Sequence, residues 1–386
     1  MDLSLFLDPI SSDIHRLTIE EPNFGQSMYT YFEQIPDLEN IDIALIALME
    51  TRGSERNASG LGEAADEIRK KLYTLQKGVG GYHIVDLGNL RNGPTLEDTY
   101  LRLKEVCVML LEQEIVPVLI GGTHDMLIGQ YQAYEAREQM INLMVIDHAI
   151  NIGETHDASG AHLDTIIKHD PNYLFQLLHL GHQSFLVGED KFALMESLYF
   201  EAVRIGTVRE KLEEMEPLIR DADLLSFDVS AINQQFAPGA THSGPYGLSG
   251  EDACQLCWYA GLNDKLTSVG FHEYDVDRDD ERGTTAFVIA TMIWYFIEGY
   301  YHRVEDKLFQ SENYMIYEVD LGGEPETIRF FKSKRSEKWW MEVPDTANEK
   351  SVFLKNKMIP CSYTDYEIAM KGEIPSRWLA AYARLS

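Results

Sequence analysis

The chain has 386 residues, 45% of them hydrophobic, with 33 Lys+Arg against 63 Asp+Glu and a formal charge of -30. This length and apolar content describe a globular chain with a large core, not a disordered one. The acidic field repels phosphate backbones and anionic bilayers, which argues against nucleic acid and membrane surfaces as partners.

The first residues, MDLSLFLDPI, carry Asp2 and no basic stretch, so they do not read as a secretory signal. A strand is predicted over 41–49 (IDIALIALM), a helix over 63–75, a strand over 83–88 and a long helix over 95–114. A strand over 115–122, a helix over 126–137 and a strand over 141–147 follow. SFLVG (184–188) and YFEAVRI (199–205) read as strands around a helix. A helix over 208–222 then leads to a strand over 223–230. Next come a helix over 249–261, a strand over 265–275 and a helix over 284–302. The apolar stretch in that last helix, AFVIATMIWYFI, is too short to span a bilayer and reads as buried.

Doubly buried strands joined by helices mean a mostly parallel sheet with helices on both sides. After about residue 310 the pattern changes. YMIYEVDL, ETIRFFKSK and KWWMEVP are short alternating runs, predicted as a small antiparallel meander, and TDYEIAMKGEIPSRWLAAYARL closes the chain as helix. The expected division is an α/β domain over 1–309 and a C-terminal β-rich extension over 310–386. Arg329, Lys332, Lys334, Arg335 and Lys338 make this tail locally basic. They read first as charges guarding a solvated edge strand. Docking onto the acidic body or a second subunit is the other reading.

Cys254 and Cys257 form one CxxC inside a predicted helix, with no second pair at matching spacing. That favours thiols on a packed helix face over a structural zinc site. With Cys107 and Cys361 they suit a reducing, cytoplasmic compartment.

The chemistry gathers where apolar runs end. PVLIGGTHD leads to His124, VIDHAIN to Asp147, LLSFDVSAIN to Asp228 and VGFHEYDVD to Glu273. Gly121 and Gly122 let the chain turn tightly before His124. Ligands of parallel sheets collect beyond the C-terminal strand ends, so one imidazole and three carboxylates are expected to converge. Without a cation, Asp147 and Asp228 would face each other in the interior. One pKa would then rise, or His124 would stay protonated between them. Strand alternation predicts that His148 points away from Asp147. His156, His162 and His242 are expected in loops near the site.

These motifs, in this order, resemble the arginase-like ureohydrolases: arginase, agmatinase and formimidoylglutamase. The resemblance covers roughly residues 40 to 300. GSERNASGLGEAADEIRKKL is similar to that family's Gly-rich segment, and FAPGATHSGPYGLSGED to its Ala-Pro-Gly to Gly-Leu-Ser loop. RNASG (56–60) and PNYLFQLLHLGHQSFLV (171–187) look most like formimidoylglutamase. The resemblance implies a three-layer α/β/α sandwich and a site for two manganese ions.

Taken position by position, the family's Gly-Gly-x-His is met by Gly121, Gly122 and His124. Its Asp-Ala-His-x-Asp becomes Asp147, His148, Ala149 and Asn151, and its Ser-x-Asp-x-Asp becomes Ser226, Asp228 and Ser230. The resemblance therefore implies one ion held by His124, Asp147, Asn151 and Asp228. It implies loss of the second, because Ala149 and Ser230 replace its ligands. HEYDV puts Glu273 where the family has a Glu that holds substrate. The expected cofactor is one Mn2+ or other divalent ion, or none. The expected partner is a small amidine or guanidino ligand, by resemblance formimidoylglutamate. Two functions stay open: a hydrolase of a C–N bond in such a linear amidine, and a pseudoenzyme that binds a ligand or serves as a structural subunit. Homo-oligomers are compatible with both.

Overall fold

Branched and aromatic side chains that pack on both faces of a pleat favour buried strands, and the apolar runs do form them. The computed structural model describes residues 3–19, 23–54, 59–153, 157–304, 306, 311–344 and 356–385. The chain begins with β1 (Leu7–Asp8), α1 (Ser12–Leu17), β2 (Met28–Thr30) and β3 (Ile43–Leu48). It continues through α2 (Ala64–Tyr73), β4 (Ile84–Leu90), α3 (Leu96–Leu111), β5 (Val116–Gly121) and α4 (Leu127–Ala136). Then come β6 (Ile141–Ile146), α5 (Ala158–Ile167), β7 (Leu174–His182), α6 (Glu189–Ser197) and β8 (Glu201–Arg204). The last elements of this part are α7 (Ile205–Glu210), α8 (Met215–Ile219), β9 (Leu224–Asp228), α9 (Gly250–Gly261), β10 (Ser268–His272) and α10 (Thr284–Tyr301).

The strands build a ten-stranded sheet in the order β1-β4-β3-β5-β10-β9-β6-β7-β8, with β2 also on β4. Only the short β1 runs antiparallel to its neighbour. Alternate residues of one strand feed two different cores. Ile43, Leu45 and Ala47 of β3 pack with Ile68 of α2, Leu256 of α9 and Phe296 of α10. Ala44, Ile46 and Leu48 pack instead with Leu103 of α3, Tyr131 of α4 and Leu163 of α5. The fold is therefore helix layer, sheet, helix layer, as expected.

One buried ion pair ties the helix α2 to the sheet. The wholly buried Arg69 meets Asp86 of β4 through Nε at 2.8 Å and Nη2 at 2.7 Å, and donates to Gly88 O at 2.8 Å. Tyr73 Oη donates to the same carboxylate at 2.8 Å.

Three local expectations are corrected. Residues 184–186 form a single 3-10 turn and not a strand, while β7, rich in Gln and His, is a strand that the sequence reading did not mark. The 208–222 helix is broken into α7 and α8. Pro217, which lacks an N–H, fits the first turn of α8 and cannot sit inside a continuous helix.

The tail forms a separate four-stranded antiparallel sheet, β11 (Tyr314–Asp320), β12 (Thr327–Ser333), β13 (Trp339–Pro344) and β14 (Asn356–Cys361). Two helices follow, α11 (Tyr363–Met370) and α12 (Ser376–Leu385), where one was expected. Gly372, at φ 83°, turns the chain between them. Both readings of the basic tail find residues. Arg329 pairs with Glu318 and Glu342 inside the small sheet, whereas Lys338 reaches Glu216 of α8 at 3.8 Å. Arg377 and Arg384 pair with Glu214 and Glu201 of the body. Among the described residues no helix is long and apolar enough to cross a membrane.

Candidate metal centre

Sheet order decides which side chains meet. β5, β10, β9 and β6 are consecutive neighbours, so the chain segments leaving them lie side by side. Gly121 and Gly122, at φ 88° and 71°, reverse the chain after β5 and deliver His124 back over the sheet. β9 carries Asp228 at its last residue, and Asp147 follows β6 by one.

His124 Nδ1 lies 3.5 Å from Asp147 Oδ2 and 3.4 Å from Asp228 Oδ2. The ligand atoms of these three residues all fall within 4.8 Å of one another. None of the three side chains is more than 3% exposed. His124 Nε2 is 2.9 Å from Ser226 Oγ, which fixes the ring and leaves Nδ1 facing both carboxylates. Burial alone would lower the His124 pKa, but Asp147 and Asp228 outweigh it and raise it to about 10. For Asp147, burial is likewise outweighed by His148 and His124, and its pKa falls well below the usual range.

An imidazole nitrogen and two carboxylate oxygens converging on one point suit one divalent ion. Asp147 Oδ1 accepts from His148 Nδ1 at 2.6 Å and from the Ala149 N–H at 3.3 Å. Asp228 Oδ1 accepts from the Ser230 N–H at 2.7 Å, and Ser230 Oγ accepts from the His242 N–H at 3.2 Å. Asn151, expected as a fourth ligand, lies beside the cluster with Nδ2 2.7 Å from Asp147 Oδ2.

The expected orientation of His148 is overturned by that 2.6 Å contact with Asp147. Alternation holds only inside a strand, and β6 ends at Ile146. Beyond it the chain turns, and His148 O accepts from the Gln183 N–H at 2.8 Å. The His148 ring stacks on His242 at 5.4 Å between centroids. His162 is not in a loop but in α5, buried, with its ring centroid 4.2 Å from that of His124. Burial, and then the His124 charge, hold its pKa well below the ordinary value. The same causes draw His272 down to about 3. His179, whose Nε2 meets Ala149 O at 2.9 Å, is drawn down by burial to about 4. The His162 and His272 rings lie with their centroids 4.2 and 5.4 Å from that of His124. His156 lies outside the described residues, as does most of RNASG.

Glu273 follows β10 and is fully buried. Its backbone has φ 68°, a left-handed conformation uncommon for a side chain of this size. Oε1 accepts from the His124 N–H at 2.8 Å and from Ser159 Oγ at 2.5 Å. Oε2 has no hydrogen-bond partner among the described residues. Burial first, then the Asp228 charge, push its pKa up to about 7. The sequence alone gave Ser159 no role. A lone serine signals nothing until the fold sets it against a carboxylate. The CxxC thiols are free and lie on α9, as expected.

The comparisons with known proteins agree with this geometry. The family described as "Arginase family" matches residues 42–298. A formimidoylglutamase of Staphylococcus haemolyticus is 23% identical over 284 residues, spanning 69% of this chain and 90% of the relative. Among solved structures, a Trypanosoma cruzi formiminoglutamase with Mn2+2 superposes with TM-score 0.64 at 18% identity. It covers 70% of this chain and 96% of its own. A Bacillus subtilis formimidoylglutamase gives TM-score 0.64 at 18% identity, covering 77% and 95%.

Proposed function

The chain belongs to the arginase family, and from that premise we propose that it holds one divalent cation, Mn2+ or an ion of like size, and hydrolyses a C–N bond of a linear amidine of the formimidoylglutamate type. The observation that carries this reading is the convergence of His124 Nδ1, Asp147 Oδ2 and Asp228 Oδ2 at the ends of neighbouring strands. In this reading residues 1–309 carry the chemistry and 310–386 form an extension. A bound divalent ion supplies Lewis acidity and acidifies water. The relatives named formimidoylglutamase support the substrate class.

The rest falls to the protein's own groups. Ser226 holds the His124 ring with Nδ1 toward Asp147 and Asp228, where it would serve as a ligand to a bound cation. Asn151 steadies the Asp147 carboxylate. Glu273 Oε2, buried and aimed at no other partner among the described residues, accepts an N–H of the amidinium. With a pKa of about 7, Glu273 is pulled into its charged form when such a cation arrives.

A second reading is favoured by a different observation. His148 and Asn151 already hydrogen-bond both oxygens of Asp147, so that carboxylate is satisfied by the chain itself. That arrangement suits a pseudoenzyme that binds an amidine without turnover. One experiment separates the two. The protein is purified with added Mn2+, its metal content is measured, and formamide and urea release are assayed. One ion per chain with turnover supports the hydrolase. No ion and no turnover leave the pseudoenzyme, and two ions per chain sink the single-ion site.

A further inference from the structure

A second site lies at the opposite end of the central strands. Arg220 precedes β9, and Asp264 and Lys265 precede β10, whereas the metal centre sits beyond the C-terminal ends of the same strands. Five residues of strand separate the two ends, roughly 17 Å. The small sheet closes the other wall with Lys338, Trp340 of β13 and Met358 of β14. Together they enclose a cleft of about 330 Å³, a size typical of small-ligand sites.

Among the described residues, Nε and Nη1 of Arg220 and Oδ1 of Asp264, two residues that line this cleft, lack hydrogen-bond partners, while Asp264 Oδ2 accepts from the Asp306 N–H at 2.9 Å. Arg220 is 7% exposed, and its guanidinium lies over the Trp340 ring at 4.4 Å. Nε is 3.1 Å from Glu216 Oε1, and Nη2 donates to Cys361 O at 3.1 Å. Nη1 has no hydrogen-bond partner among the described residues, and neither has the buried Oδ1 of Asp264. An unpaired buried N–H of a charged group is costly, which makes Arg220 a group that gains by meeting an anion. Lys338 shares Glu216 with Arg220, so these two cations divide one carboxylate. The remaining charges are occupied. Lys265 pairs with Asp221 at 3.2 Å and Asp223 at 3.1 Å, and Asp306 accepts from the hydroxyls of Ser333 and Ser336.

We propose that this cleft binds a small zwitterion, a free α-amino acid, with its carboxylate on Arg220 Nη1 and Lys338 and its ammonium on Asp264 Oδ1. Orphan donors on Arg220 and an orphan acceptor on Asp264 in a single cleft ask for a ligand that carries both charges. Phosphate or acetate would satisfy Arg220 and leave Asp264 unpaired, and a simple amine would do the reverse. The site joins a wall that matches the arginase family to a wall from the tail beyond that match. An amino acid seated there would clamp the small sheet to the N-terminal ends of β9 and β10.

The test uses the intact chain and isothermal titration with the proteinogenic amino acids, their N-acetyl derivatives, acetate and inorganic phosphate. At least one amino acid should bind, and its N-acetyl form should bind at least about tenfold more weakly, the size of one lost charge-assisted hydrogen bond. Arg220→Gln should weaken binding by about the same factor. Arg220 also supports the seam, so a second variant is Asp264→Asn, which keeps Arg220 and an oxygen that can still accept from the Asp306 N–H, as Oδ2 does at 2.9 Å. That variant should weaken the amino acid and leave acetate unchanged. The proposal is overturned if no amino acid binds, if acetate or phosphate binds as tightly, or if Asp264→Asn leaves affinity intact.

Discussion

His148 and Asp147, consecutive in the chain, face each other with Nδ1 2.6 Å from Oδ1. The strand that would have sent them to opposite faces has ended one residue earlier. The contact puts a histidine in competition with any cation for the Asp147 carboxylate. His148→Ala should therefore tighten Mn2+ binding by about tenfold, the weight of one charge-assisted hydrogen bond. Titration calorimetry reads this directly, and unchanged affinity would mean that His148 does not compete.

Asp228 and Ser230 are separated by one residue and should differ in what they do for a cation. Asp228→Ala should abolish the bound ion. Ser230→Ala should leave metal content unchanged, because Ser230 Oγ is occupied by the His242 N–H. Elemental analysis of the two variants decides it, and equal loss in both would make Ser230 a ligand.

Glu273→Gln keeps an acceptor for the His124 N–H and removes the charge that would pair with an amidinium. With N-formimidoyl-L-glutamate as substrate, kcat/KM should fall by about tenfold or more while metal content stays the same. Loss of the metal together with activity would place Glu273 in the cation site and not in substrate binding.

The Arg69–Asp86 pair makes a prediction for stability alone. Asp86→Ala leaves a guanidinium buried without its partner and should cost about 3–5 kcal/mol. Replacing both residues by Met and Leu should recover much of that loss. Urea unfolding of the three proteins measures it. A double variant no more stable than the single would mean that the hydrogen bonds of Arg69 to Gly88 and Asn89 matter more than its charge.

Glu50 carries a pH signature. Burial raises its pKa, but hydrogen bonds from Arg52 and Thr99 outweigh burial and hold it below the usual 4.5. A depressed folded pKa stabilises the protein fully above the unfolded value, and that stabilisation disappears as pH falls through the folded one. The difference in urea midpoint between the wild-type protein and Glu50→Gln should thus be constant near neutrality. It should shrink only as the pH drops below about 4.5. A difference independent of pH down to strong acid would mean that Glu50 acts through packing.

The layers were legible because β3, β5 and β6 are continuous apolar runs whose alternate residues face two cores. β7 was not, because Gln176, His179 and His182 interrupt its apolar character and only the neighbouring strands make it a strand. The positions of His124, Asp147, Asp228 and Glu273 could be read from strand ends. The direction of His148 could not, since it depends on where β6 stops. Nor could Arg220, an ordinary surface-type residue in sequence that becomes buried only when β13 covers it.

The order of the sheet also has a consequence for how the chain comes to its final form. β3, β4 and β5 are neighbours made early, and β6, β7 and β8 are neighbours made next, but β9 and β10 lie between the two groups. His124 and Asp147 thus follow strands of two groups that only β9 and β10 connect in the sheet. The late pairings are long-range and close large loops, which slows such a step. A chain stopped before residue 268 could pair β9 with β6 and bring Asp228 to Asp147, but without β10 it would lack the strand that joins them to β5 and His124.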